Sequence, residues 1–322
     1  MKVYKLHEVS IDMEKNIAIV SENGFILQGK VYKVGNKEES RTNCELINIA
    51  LQYTCGNYIL WTKKGNELLK KAVETIEKLY CSPLSTRYKN QLEEELIAIL
   101  NVTHHHNTEE SDSKLDGINS LSSSCLDNAI CLNRMKCGKS VCIYCYSANQ
   151  QKRQLSLQDR NVINGIILKN YLIPVKAWKS HFKKENLSKF FRIESFGDTE
   201  NATQGKNYLN FIRAFPRVHF SLFSKSLFLW NSIFKTEDKP QNLSYVHSSL
   251  ELNCTEIEIV SMFKFIDHVF TVYDKKFIAV NNIQITCGGK ACLKDCCKKK
   301  KGCFFPKENP NDNPIEQREQ KK

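Results

Sequence analysis

Ten of the chain's fourteen cysteines fall into two short stretches, Cys125 to Cys145 and Cys287 to Cys303. Core packing gives no reason to crowd thiols in this way, and in a reducing compartment clustered cysteines point to metal or redox chemistry rather than disulfides. From Cys131 to Tyr146 the first stretch reads CLNRMKCGKSVCIYCY, in which Cys137, Cys142 and Cys145 form C-x4-C-x2-C. Thiolates a few residues apart in a loop can close around one small centre, and Gly138 relieves the backbone beside it. Four ligands, drawing on Cys131 or Cys125, would make a closed tetrahedral zinc site. Three would leave one iron of a cluster open to a further ligand. The second stretch, CGGKACLKDCCKKKKGC, offers Cys287, Cys292, Cys296 and Cys303 as a four-thiolate set with Cys297 to spare, for a second iron–sulfur cluster or a structural zinc. Its lysines would offset thiolate charge. Cys44, Cys55, Cys81 and Cys254 are scattered and read as small buried hydrophobes.

These loops need a scaffold. Strand, amphipathic helix, strand follows the first cysteine loop: FFRIES from Phe190, a helix over 202–215 with Tyr208, Ile212 and Phe215 on one face, then VHFSLF from Val218. That is a βαβ unit, whose crossover implies parallel strands. Further strands are expected over 245–252, 269–273 and 277–280, and a helical segment over 147–171. In a parallel (βα) arrangement function gathers at the C-terminal strand ends. The cysteine loop should then follow the first strand, and the next strand should end in a small-residue turn bearing a carboxylate. FFRIES runs directly into Phe196-Gly197-Asp198. Arg192 and Glu194 share one face of that strand, to line a polar interior or pair with each other, and Asp198 can equally cap the helix that follows.

Ahead of this core, residues 1–103 read as a small α+β module. Strands around Asn23-Gly24 suggest a two-residue hairpin turn. Residues 57–62 suggest another strand, and helices are expected from Asn66 and Asn90. Residues 104–115 read as a linker, and the consecutive His104, His105 and His106 share no face of a helix or strand. Core residues 116–286, a cysteine-rich segment over 287–305 and a solvated, disordered tail over 306–322 complete the expected organisation.

The cysteine loop, with the aromatic Tyr144 just before its last cysteine, resembles that of S-adenosylmethionine-cleaving radical enzymes, whose usual spacing is C-x3-C-x2-C. The segments DGINSLSSSCLDN, CIYCYS and FFRIESFGDTENATQGKNYLNFIRAFPRVHFSLFSKS resemble the Gp88 family of phage- and mobile-element-associated proteins over roughly residues 115 to 303. Arg192, Ser195, Gly197, Asp198, Asn207, Tyr208, Pro216 and Lys225 meet the family's pattern, with Asp198 and Ser224 in place of the more usual Glu and Thr. Together the resemblances imply a partial (βα) barrel of radical-SAM type. Cys137, Cys142 and Cys145 would hold a [4Fe–4S] cluster that binds S-adenosylmethionine. Gly197, Asp198, Arg192, Glu194, Ser195 and Lys225 would surround the cofactor, and flavodoxin or ferredoxin would donate electrons.

Composition sets outer bounds. No apolar run approaches the roughly 18–20 residues needed to span a bilayer, and the N-terminal MKVYKLHEVSIDMEKN lacks a signal-peptide core, so a cytoplasmic protein is expected. The formal net charge of +12 suits a polyanionic partner. The rival expectation is therefore a non-enzymatic zinc protein that contacts nucleic acid.

Overall fold

Short runs rich in β-branched and aromatic residues build the centre of the molecule. The computed structural model describes residues 8–12, 17–22, 25–30, 62–80, 83–104, 115–137, 140–182, 187–288, 292–293, 296–298 and 302–321. One sheet is β1 (Glu8–Asp12), β2 (Ile17–Glu22) and β3 (Phe25–Lys30), all antiparallel. Glu22 pairs with Phe25, which leaves two residues between the strands, as the Asn23-Gly24 signal predicts. Of the strand expected over 57–62 only Thr62 is described, and residues 105–114 with His105 and His106 lie outside the described residues.

The second sheet contains β4 (Thr103–His104), β5 (Asn119–Leu121), β6 (Phe190–Ile193), β7 (His219–Ser224), β8 (Leu243–Ser248), β9 (His268–Tyr273) and β10 (Ile315–Gln320). The six strands β5 to β10 run parallel in sequence order, and β4 lies antiparallel on β5. Val162, Leu209, Trp230 and Val260 of the connecting helices fall in one core cluster with the strands, so the helices between β5 and β9 share one face of the sheet. The sheet is open, with β4 and β10 as its edges, so the architecture is a singly wound α/β sheet without barrel closure.

On the helical face, Phe191, Ile193, Phe220, Leu222 and Tyr245 pack against Leu209, Phe211, Ile212, Trp230 and Ile233 in one core cluster. The same cluster takes in helices α1 (Lys63–Tyr80) and α2 (Thr86–Ile99) through Leu69, Ile76, Leu92 and Leu96. These helices were expected in a separate module, but their apolar stripes are covered by the core itself. Helix α3 (Ala129–Lys136) carries Cys131. Helices α4 (Tyr146–Arg153) and α5 (Leu155–Asn170) then replace the single helix expected there. Helix α6 (Val175–His181) leads to β6, α7 (Ala202–Ala214) joins β6 to β7, and α8 (Leu227–Phe234) joins β7 to β8. The N-cap Asn201 accepts a hydrogen bond from the Gln204 N–H at 2.9 Å. Asn201→Ala is expected to cost about 1 kcal/mol in urea unfolding.

Two further expectations are corrected. Residues 277–280 are not a strand but part of α10 (Lys275–Asn281), which follows α9 (Ile257–Val260) and β9. A four-residue apolar run carries no decisive period, and the cap bond from the Phe277 N–H to Asp274 selects helix. Nor is the C-terminus a solvated tail, since residues 315–320 pair in register with β9. The sequence IEQREQ hides the strand because it offers neither an apolar run nor an apolar–polar alternation.

The sheet's other face is covered by the C-terminal cysteine segment. Phe304 and Cys297 are buried with Ile118 and Phe190, while Cys287 and Cys303 pack on Phe223, Val246 and Phe270. The Phe305 carbonyl accepts from His268 Nε2 at 2.8 Å, which anchors the segment.

Candidate functional site

The C-terminal strand ends are joined by short polar side chains. β5 runs into Ser122-Ser123-Ser124-Cys125, and the Ser122 Oγ accepts from the Ser195 N–H at 3.1 Å, which ties the ends of β5 and β6. At the close of β6, Glu194 takes φ +56°. This left-handed conformation is unusual for a residue with a side chain, and it breaks strand alternation. The Glu194 carboxylate therefore leaves the face of Arg192, against expectation, and enters the helix layer. There it accepts from the Ser123 N–H, the Ser123 hydroxyl, Gln204 Nε2 and the Tyr208 hydroxyl at 2.6–3.0 Å. Burial pushes its pKa up to about 7, with the Asp198 charge adding to the rise and the Ser123 and Tyr208 donors opposing it.

Gly197 takes φ +76°, and a Cβ there would lie 2.7 Å from the Ser123 carbonyl oxygen, so only glycine fits the turn. Asp198 is buried and committed. Its Oδ1 accepts from the Ser224 hydroxyl and the Thr199 N–H, and its Oδ2 from Arg134 Nη1 at 2.5 Å and the Lys225 N–H at 3.0 Å. Asp198 thus joins α3, which carries Cys131, to the end of β7. Burial opposes the charge of Arg134, but the Asp198 carboxylate outweighs it and raises the guanidinium pKa.

The thiols gather around this framework. Cys125 is buried and accepts from Gln151 Nε2 at 3.1 Å, while the Ser124 hydroxyl holds Gln151 at 2.7 Å. Cys145 stands at the N-terminus of α4. A hydrogen bond from the Cys125 thiol lowers its pKa to about 6, helped by the Ala148 and Ser147 N–H groups and the Lys225 charge, and opposed by burial. Cys125 rises correspondingly, through that same bond and burial. Burial, followed by the Asp198 charge, raises Cys131, which also feels Cys145 and Cys142. Cys125 and Cys145 are in contact and Cys131 and Cys142 lie within electrostatic reach of the group, whereas Cys137 is exposed at the end of α3. Among the described residues, no three thiols, imidazoles or carboxylates are set to grip one metal ion. The donor chemistry nevertheless suits a thiophilic centre, with a thiol ionised near neutral pH and a lysine beside it.

Of the residues expected around a cofactor, Lys225 faces the thiols, and its Nζ donates to the Ser248 hydroxyl at 2.8 Å. Ser195, Gly197, Asp198 and Glu194 build the rim from behind. Arg192 lies on the opposite face, its guanidinium 3.1 Å from the Phe223 ring centroid, and feels Tyr146, Cys303, Cys292 and Glu319. In the second stretch, burial raises Cys297 to about 12, with Cys292 and Cys296 adding to the effect. A Cβ on Gly302 (φ +87°) would meet the Cys296 Sγ at 3.3 Å, which places Cys303 beside that group.

Further contacts at this rim are not marked in the sequence. Arg134 is one turn from Cys131, a relation visible only once α3 is known to be helical. His247 Nε2 and Glu256 Oε2 lie 2.5 Å apart, and Glu256 also accepts from the Leu250 N–H. Leu250 in turn accepts from the Val141 N–H and so holds the turn that bears Cys142. No local motif marks that chain of contacts.

Fold and rim together define a class: an open, singly wound parallel α/β protein with clustered thiols at the C-terminal strand ends. The family profile of Gene product 88 matches residues 63–312, and the chain belongs to that GP88 family. No curated protein and no solved structure matches it. No helix among the described residues is long and apolar enough to cross a membrane.

Proposed function

We propose that this chain is an iron–sulfur protein acting as a radical-SAM-like enzyme. The observation that carries the reading is position: the cysteine loop leaves the first parallel strand at the C-terminal rim, and the Gly197-Asp198 turn leaves the next. Cys142 and Cys145 are the constant ligands. The third is Cys137 by spacing or Cys131 by packing, and the Cys125 thiol supports Cys145 as a donor. A [4Fe–4S] cluster held by three thiolates supplies an open iron for S-adenosylmethionine and the electron for its cleavage. The chain's own residues position and exclude water. Lys225 keeps a positive charge beside Cys145, Asp198 fixes α3 against β7, and Tyr146 covers the rim while its hydroxyl donates to the Ser195 carbonyl at 3.2 Å. Cys287, Cys292, Cys296 and Cys303 would hold a second centre against the face of the sheet opposite the helices, and an acidic flavodoxin- or ferredoxin-like donor would suit the chain's positive charge.

A second reading adds Cys131 or Cys125 as a fourth thiolate to Cys137, Cys142 and Cys145, and is favoured by the mutual electrostatic influence of Cys125, Cys131 and Cys145. Four thiolates close a tetrahedral zinc site and leave no open position, and the protein would then be a zinc-binding module that contacts nucleic acid. Anaerobic quantification of iron, sulfide and zinc separates the two. The enzyme reading expects brown protein with broad absorbance near 400 nm, lost on reduction and in Cys142→Ala/Cys145→Ala. Colourless protein with stoichiometric zinc at this site would overturn it.

A further inference from the structure

On the face of the sheet opposite the helices, Arg192 on β6 and Ser221 on β7 occupy directly paired register positions, so their side chains stand side by side. Both are left unsatisfied: Arg192 Nε and Ser221 Oγ are buried without a hydrogen-bond partner. Neighbouring buried donors without acceptors are rare, and each costs about as much as a lost hydrogen bond. Burial also lowers the Arg192 pKa, so the guanidinium sits in an environment that disfavours its charge. One of its planes is taken by the Phe223 ring, and stacking of this kind leaves the N–H edge for in-plane acceptors. Arg192 is only partly buried as a residue. Tyr146 at the rim and Cys303, Cys292 and Glu319 of the C-terminal segment lie within its electrostatic reach.

We propose that Arg192 and Ser221 form an oxyanion receptor, which takes a carboxylate or phosphate group through the guanidinium edge and the serine hydroxyl. The anion would satisfy both donors at once and give Arg192 the in-plane acceptor that its more distant electrostatic neighbours, among them Glu319, do not provide. The site rests on the rim reading only for its use, since it would bind the anionic group of the substrate. Anion binding itself is independent of what the thiols hold.

The test is calorimetric titration of the full chain, as purified, with inorganic phosphate and with acetate at constant ionic strength. Metal content is recorded on the same sample, so that failure of the cluster reading is seen separately. Wild type is expected to saturate with at least one anion, and the preferred anion separates a phosphoryl from a carboxylate ligand. Arg192→Met should weaken binding about 10- to 100-fold. Arg192→Lys, which keeps charge without the fork, should fall between. Ser221→Ala should lose several-fold, while Arg217→Met, a change at an exposed arginine, should bind as wild type. If wild type saturates with neither anion, the two donors are serviced by water and the receptor is refuted. Equal affinity in folded Arg192→Met or Arg192→Lys refutes it as well.

Discussion

Asp198→Ala is expected to cost about 3–5 kcal/mol of unfolding free energy, because it strands a charge. Arg134 and Asp198 are paired at 2.5 Å with side chains only 16% and 4% exposed. Removing the carboxylate leaves a mostly desolvated guanidinium and withdraws the acceptor of the Ser224 hydroxyl and of the Thr199 and Lys225 N–H groups. Urea unfolding reads the loss directly. A double-mutant cycle with Arg134→Ala isolates its origin, since the pair should cost less than the sum of the single changes by about 1–3 kcal/mol. Strict additivity would mean that Asp198 serves β7 alone, and the proposed link between α3 and β7 would be wrong. Because α3 carries Cys131, metal retention should fall in the same variant if the thiols hold a centre.

This role for Asp198 shows where the sequence was informative and where it stopped. The βαβ unit was legible because FFRI and HFSLFS are apolar with sharp boundaries and the intervening helix carries a periodic stripe. The order of the site was legible too, with a cysteine loop after one parallel strand and a Gly-Asp turn after the next. Orientation was not. Strand alternation assigned Glu194 to the face of Arg192, and one positive φ reversed it. That conformation leaves no mark in composition, because the residue is not glycine, and only the four donors that fix the carboxylate hold it there. Likewise Asp198 has the chemistry to bind an amino group, yet nothing local reveals that Arg134, 64 residues away, already occupies it. The polar β10 was invisible because its pairing uses backbone, and its side chains carry no pattern. Type and spacing predicted the elements, while the partner of each buried polar group depended on contacts distant in sequence.

Glu194 also makes stability depend on pH in a direction opposite to most acidic groups. Its pKa is about 7 in the folded chain, against an ordinary value of 4.5. Between these values the unfolded chain has lost the proton while the folded chain still holds it, so unfolding releases a proton and stability falls as pH rises. The contribution is intact below about pH 4.5 and lost above about pH 7, and its full size is about 3 kcal/mol. Glu194→Gln cannot ionise, so the difference between the stability curves of wild type and variant isolates this one group. At pH 5 the variant should be less stable by about 1–3 kcal/mol, because the amide oxygen can serve the three donors at Oε1 but the NH2 in place of Oε2 cannot accept from the Ser123 N–H. As pH rises from 5 to 7.5 that gap should shrink, because only the wild type loses stability through this residue. Urea unfolding at half-unit pH steps tests both parts. A gap that stays constant with pH would mean that the four donors outweigh burial and keep Glu194 ionised throughout. A gap that widens would place its folded pKa below 4.5, and burial would then not be the dominant influence at the end of β6.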